Sequence, residues 1–284
     1  MRVAIVGAAG MLGAVTVREW LAHGHHVTAL TRADLDVTNP GDVQAVLDRL
    51  APDVIINCTA YNRVDDAEDD PSTSLAVNTW AVRSLARAAE AVGAVFVHYS
   101  TDFVFDGVTD RPYAETDAPN PQSAYGMSKL MGEWFALEVG RTGLEVRRSY
   151  VLRVESLFGG VASRSTIDRM LESMRAGREV QAFSDRTVSP SHVDDVARAT
   201  RELVERQAPA GLYHCVNSGK ATWLEVAEAV RVAAGLDAQI SPVSTKDIAL
   251  KARRPDFAAL SNAKLTALGI EMPQWTAAIR RHLG

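Results

Sequence analysis

Tyr125 and Lys129 stand four positions apart in the stretch "SAYGMSK". On a helix that spacing puts both side chains on one face, their Cβ atoms about 5–6 Å apart. A lysine cation beside a tyrosine favours the phenolate and lowers its pKa from ~10. Tyr125 then becomes a usable proton donor or acceptor near neutral pH. Upstream, "VHYSTDFVF" places Ser100, Thr101 and Asp102 directly after an apolar strand-like run. Ligands of open α/β sheets bind at that edge, so Thr101 could hydrogen-bond the same substrate oxygen. Near the start of the chain, "GAAGMLG" sets Gly7, Gly10 and Gly13 between an apolar strand and a helix. A helix N-terminus has free N–H groups and partial positive charge, and it can hold a pyrophosphate. Each signal alone is weak, because Y-x-x-x-K arises by chance and small-residue turns are common. Together, in this order, they make a specific constellation: a dinucleotide site beside a proton-transferring tyrosine.

The second strand should end near the adenosine ribose, where an acid would bind the 2′-hydroxyl. Thr31 and Arg32 stand there instead, in "ALTRADLD". An arginine can pair with a 2′-phosphate, so NADPH is the expected cofactor, with NADH possible. The plain alternative is a solvated surface arginine. Asp36 and Val37 are placed to flank the adenine.

These residues need a scaffold, and the hydrophobic pattern supplies one. Strand-like runs (Arg2–Val6, "HHVTAL", Asp53–Cys58, Ala94–Ser100, "LEVRRSYVLRV") alternate with helical ones (Met11–His23, Pro40–Leu50, Ser74–Val92, "YGMSKLMGEWFALEVG"). Such alternation implies a parallel sheet covered on both faces. The expected fold is α/β, a Rossmann-type doubly wound parallel sheet with a smaller C-terminal α/β substrate lobe. Residues 1–155 are expected to form the dinucleotide domain, with 190–207 returning to it. Residues 156–189 and 208–284 should form the substrate lobe, with helices at Ser163–Ala176, His192–Glu205, Thr222–Ala234 and Trp275–Leu283.

The chain has 284 residues and a formal net charge of -5 without a long basic run, which argues against a nucleic-acid binder. Two cysteines, Cys58 and Cys215, cannot make a disulfide framework, and the N-terminal apolar run is too short to span a membrane. The expectation is a cytoplasmic protein with no membrane partner. His23, His25 and His26 cluster without a supporting motif, so no metal site is expected.

The chain resembles an extended short-chain dehydrogenase/reductase, and within that superfamily the dTDP-4-dehydrorhamnose reductase group. The matching pieces are "GAAGMLG", "LDVTNPGDV", "PDVIINCTAYNRVDDAE", "VHYSTDFVFDG", "YGMSKLMGE", "GLYHCVNSGKATW" and "RRPDFAALSNAKL". The resemblance implies a catalytic Thr101–Tyr125–Lys129 set, Lys129 also binding the nicotinamide ribose. It implies cofactor contacts from Gly10, Met11, Leu12, Asp36, Val37, Ala60 and Tyr61. Substrate contacts would fall on Val64, Asp65, Thr101 and Asp102. Arg254, beside Arg253, could hold a diphosphate through forked hydrogen bonds, or be one of a surface pair. The implied partner is a nucleotide-sugar substrate, and the implied assembly is a monomer or homodimer.

Two places depart from the family pattern. After Arg153 the family usually reads Thr-Ser-Trp-Val-Tyr-Gly, but here the chain reads "VESLFG". Glu155 and Ser156 replace the serine and the tryptophan, and in the family that tryptophan contacts substrate. Arg186 stands where a glutamine is common. The reaction type survives these changes, whereas the identity of the sugar is opened. The enzymatic rival on the same fold is a sugar-nucleotide dehydratase or epimerase; dehydratases of the superfamily usually carry Asp-Glu after the threonine, whereas Phe103 follows Asp102 here and cannot transfer protons. A rival of another class is a non-catalytic regulatory subunit like the β subunit of methionine adenosyltransferase. An intact Thr–Tyr–Lys set leans against it.

Overall fold

The computed structural model describes residues 1–138, 148–160 and 165–284. Six strands form one parallel sheet: β1 (Arg2–Val6), β2 (His26–Leu30), β3 (Val54–Asn57), β4 (Val95–Thr101), β5 (Ser149–Val154) and β6 (Gly211–His214), in the order β6-β5-β4-β3-β1-β2. β1, β3, β4 and β5 are buried almost throughout, as expected of central strands covered on both faces. From β1 the chain goes to β2 on one side, then crosses to β3 on the other. This reversal opens a crevice at the C-terminal ends of β1 and β3, where open α/β sheets bind ligands.

Local chemistry sets the helices. α1 (Met11–Ala22) follows the glycine turn, and α2 (Pro40–Leu50) starts at Asn39, whose side chain accepts the Gly41 and Asp42 N–H groups. α3 (Ala81–Val92) stops at Gly93, whose φ of 77° is left-handed. The helical stretch expected from Ser74 begins earlier, at Pro71, and a π-helical turn at Ala76–Trp80 interrupts it before α3. α4 (Ala124–Leu137) carries the tyrosine and the lysine. The expected continuations into 139–140, 144–147 and 163–164 lie outside the described residues.

One face of the sheet buries Val15 and Trp20 of α1 against Val196 and Leu203 of α6 (Val193–Glu205). The other buries Val43 and Leu47 of α2 with Leu85 of α3. A separate core joins Phe158, Met170, Val180, Trp223 and Ile279, contributed by α5 (Thr166–Arg175), α7 (Trp223–Ala234), α8 (Trp275–Leu283) and short strands. Capping boxes at Ser165/Asp168 and Thr222/Glu225 start α5 and α7. Residues 211–214, assigned to the smaller lobe by the sequence reading, are instead the sixth strand of the main sheet, hydrogen-bonded along β5. Four residues give little periodicity of their own, so only pairing reveals their place.

Candidate active site

Ser123 opens α4 by accepting the Gly126 N–H at 3.1 Å. Gly126 is needed there: a Cβ would lie 2.4 Å from the Phe103 carbonyl oxygen. The bare backbone lets α4 press against the turn after β4, which brings Tyr125 to the strand end carrying Thr101. Tyr125 meets Phe103 edge-on, ring centroids 5.4 Å apart. Thr101 Oγ1 donates to Asp102 Oδ1 at 2.9 Å and accepts the Phe103 N–H at 3.2 Å. Tyr125, Lys129, Thr101 and Asp102 are all buried.

The electrostatics differ from the sequence expectation. Burial pushes the Tyr125 phenol up, the Asp102 charge adds to the rise, and only the Thr101 hydroxyl opposes it. Lys129 therefore does not lower this tyrosine in the protein alone; its ammonium donates to the Tyr99 carbonyl at 2.6 Å. Burial brings the Lys129 pKa down to about 8, and the Glu133 carboxylate works against that fall.

Under this group lies a buried ion pair. Arg153 Nε and Nη2 reach Glu133 Oε1 and Oε2 at 2.8 and 2.7 Å, and Ser100 Oγ donates to Oε1 at 2.5 Å. The pair ties α4 to β4 and β5. A second tie runs through Asn78 in the π turn. Its side-chain oxygen accepts the Tyr61 N–H at 2.9 Å, and its Nδ2 donates to the Tyr61 carbonyl at 2.9 Å and Ser128 Oγ at 3.0 Å. Sequence reasoning missed both ties. Glu133 lies inside a motif noted for other residues, and Asn78 stands in an Ala-rich run with no signal but its own polarity.

On the cofactor side, Gly7 has φ 80°, and a Cβ there would come within 3.0 Å of Cys58 and Thr59 at the end of β3. A Cβ at Gly13 would lie 2.2 Å from the Gly7 carbonyl oxygen, so glycine permits α1 to pack on the loop. Gly10 is the N-cap of α1 and makes no side-chain cap, which leaves the first N–H groups free for an anion. Met11 is half-buried and Leu12 buried at the start of α1. Arg32 is exposed just past β2, close enough to help hold Asp36 below the usual carboxylate range, after the Thr38 hydrogen bonds that dominate. Thr31 is bound to Asp34, its hydroxyl donating at 2.6 Å. Val37 and Tyr61 are half-buried and Ala60 is exposed, in the segments after β2 and β3. Cys58 is a free cysteine whose thiol burial pushes up to about 12, so it is no nucleophile.

On the other side, Arg254 grips Asp65 with two parallel bonds, Nη1 to Oδ1 at 2.9 Å and Nη2 to Oδ2 at 2.6 Å. Asp65 also accepts the Ala252 N–H at 2.9 Å, and Lys251 pairs with Asp69. Two residues singled out as substrate contacts thus hold one another, with half-buried Val64 beside them. A cavity of ≈ 280 Å³ adjoins the clasp, lined by Lys246, Lys251, Arg253, Arg254 and Asp256 among others. The departures cluster as well. Glu155 is buried, and Ser156 takes a left-handed φ of 45°, an uncommon conformation for a residue with a Cβ. Burial raises Asp102 to about 6 and Glu155 well above its ordinary value; the Arg186 charge opposes both rises.

Among the described residues, no helix is long and apolar enough to cross a membrane. The chain is 31% identical over 282 residues to spore coat polysaccharide biosynthesis protein SpsK of Bacillus subtilis, covering 99% of this chain and 96% of that one. It is 33% identical to a dTDP-4-dehydrorhamnose reductase of Burkholderia thailandensis, covering 98% and 97%. The crystal structure of the dTDP-4-dehydrorhamnose reductase of Bacillus anthracis in complex with NADP superposes with a TM-score of 0.92 at 30% identity, covering 99% of this chain and 98% of that one. The family model described as the RmlD substrate binding domain matches residues 1–284, the whole length that carries the glycine cradle, the tyrosine–lysine helix and the clasped C-terminal loop, and this chain belongs to that family.

Proposed function

We propose that this protein is an NADPH-dependent reductase of a dTDP-linked 4-keto-6-deoxy sugar. The observation that carries the reading is the burial of Thr101 at the end of β4 together with Tyr125 and Lys129 on the helix packed against that strand, in the same sheet whose first strand ends in the glycine turn. Relatives of matching length are named for this reduction, and one was crystallised with NADP.

The residues present fit the cofactor. Gly7, Gly10 and Gly13 leave room and free N–H groups for a pyrophosphate, and Arg32 offers an unburied cation to a 2′-phosphate. Met11, Leu12, Thr31, Asp36, Val37, Ala60 and Tyr61 would line the rest. When bound, NADPH supplies the hydride. The chain's own part is to place and polarise the carbonyl. Thr101 orients its oxygen, and Tyr125 donates the proton as charge develops there. Lys129, held by the Tyr99 carbonyl, keeps a positive charge beneath the tyrosine and reaches the nicotinamide ribose. A raised Tyr125 keeps its proton until the reacting oxygen calls for it.

Asp102 would contact the sugar, and the Asp65–Arg254 clasp with Val64 would shape the nucleotide side. Two free cysteines and a cofactor kept reduced inside cells favour the cytoplasm. The assembly is a monomer or homodimer.

The test is a panel of nucleotide-linked 4-keto sugars assayed for NADPH consumption. Consumption with a dTDP-linked member is the expected result. NADPH binding without turnover of any sugar would favour a regulatory subunit instead.

A further inference from the structure

Glu155 lies just past the end of β5 and is 2% exposed. Its Oε2 accepts the Ser189 N–H at 2.8 Å, but its Oε1 has no partner. Arg186 Nε is likewise buried and without a partner. The Asp102 and Glu155 charges both favour the Arg186 cation, yet no ion pair joins it to either among the described residues. It stacks over Phe103 at 5.8 Å, and Phe103 in turn touches Tyr125. Buried polar groups are ordinarily satisfied, so two unused ones, on a carboxyl and a guanidinium near Asp102, point to a ligand.

Resting on the reading of the chain as a sugar-nucleotide reductase, we propose that Glu155 and Arg186 together read a ring hydroxyl of the sugar. A hydroxyl suits both: it accepts from Arg186 Nε–H and bonds Glu155 Oε1. Burial favours the protonated Glu155, but a hydroxyl can serve Oε1 whether that oxygen donates or accepts. Other ligand groups fit worse. A phosphate or carboxylate would meet Asp102 and Glu155, and an ammonium would meet Arg186. These two positions are also where the chain departs from its family's usual serine and glutamine. Ser156, next to Glu155, takes the left-handed φ of 45°.

The experiment compares a dTDP-4-keto-6-deoxyhexose with its 2-deoxy and 3-deoxy analogues, by NADPH consumption and by calorimetric binding. Wild type should disfavour one analogue by roughly 10- to 100-fold in kcat/KM, the scale of a buried hydrogen bond left unmade. Glu155→Ser and Arg186→Gln should each bring that ratio towards one, mainly through KM, with NADPH affinity unchanged. Arg186→Gln leaves β5 untouched, so it decides the matter if the Glu155 variant melts early. Equal use of all three sugars by wild type, or an unchanged ratio in Arg186→Gln, overturns the proposal while leaving the reductase reading intact. If sugars bind but none is reduced, the reductase reading falls and the binding ratio alone decides this one. If none binds, both fall.

Discussion

Lys129 points its ammonium at the Tyr99 carbonyl oxygen, 2.6 Å away, from one turn below the tyrosine it was expected to activate. The bond fixes the lysine against the interior strand β4 rather than on the phenol. In the proposed reaction it acts through its charge and through the cofactor.

Replacing Tyr125 by Phe should cost on the order of a hundredfold or more in turnover, the usual scale for losing a general acid. The ring still fills its place against Phe103, so NADPH affinity should hold. Steady-state kinetics with fluorescence titration of the cofactor checks both halves. Turnover at the wild-type rate would remove the tyrosine from the mechanism.

The pH dependence follows from Lys129. Its pKa is lowered by burial from 10.5 to about 8, so the positive charge is lost as pH rises through about 8. The value of kcat/KM for NADPH, which reports the free enzyme, should fall above that pH. By linkage the unfolded chain binds more protons than the native one between about 8 and 10.5, so the fold gains stability as pH rises across that window. A kcat/KM profile flat well past pH 8 would contradict the assignment.

Arg32 is exposed beside the cradle, and Arg32→Ala should weaken NADPH far more than NADH. A charge-assisted pair is worth roughly tenfold to a hundredfold in affinity. Equal losses for the two cofactors would show that Arg32 does not read the 2′-phosphate.

The Asp65–Arg254 clasp carries an acid signature. Arg254 holds the Asp65 carboxyl at about 2, below its ordinary 3.8. A carboxylate lowered on folding contributes stability above its unfolded pKa and loses it as pH falls towards the folded one. Asp65 is 42% exposed, so solvent screening limits the contribution to about 0.5 kcal/mol. Asp65→Asn should lower the urea midpoint slightly at pH 7, and the gap should close near pH 2. A gap that persists there would mean the loop is held by something else.

Ser156 lacks the aromatic surface of the usual tryptophan and sits at φ 45°. Ser156→Gly should hold or raise the melting temperature, because glycine adopts this φ freely. Ser156→Trp should shift preference towards dTDP-4-dehydrorhamnose, which the wild type is expected to reduce poorly compared with another 4-keto sugar nucleotide. Efficient use of that sugar above all others by the unmodified protein would refute the expectation.

The amino-acid order alone determined whatever depends on neighbours along the chain. Gly7, Gly10 and Gly13 between a strand and a helix, and Tyr125 and Lys129 one helical turn apart, are local patterns with fixed geometry. The helix Pro40–Leu50 was legible to the residue, and the one near Trp275–Leu283 closely, for the same reason. Only the tertiary structure decided which distant groups meet. Asp65 and Arg254 are 189 positions apart, and Glu133 and Arg153 are 20 apart across different elements. Neither pairing follows from spacing, because the path of the sheet sets it. Residues 211–214 joined the main sheet through hydrogen bonds to β5 that no four-residue pattern announces. The charge state of Tyr125 also turned on tertiary structure. A lysine nearby in sequence argued for a lowered phenol, but burial acts on the whole side chain and pushed it the other way. Glu155 and Arg186 could each be noted as unusual from the order of residues. That Glu155 is buried and Arg186 half-buried near Asp102, with Oε1 and Nε unpaired, was settled only by folding.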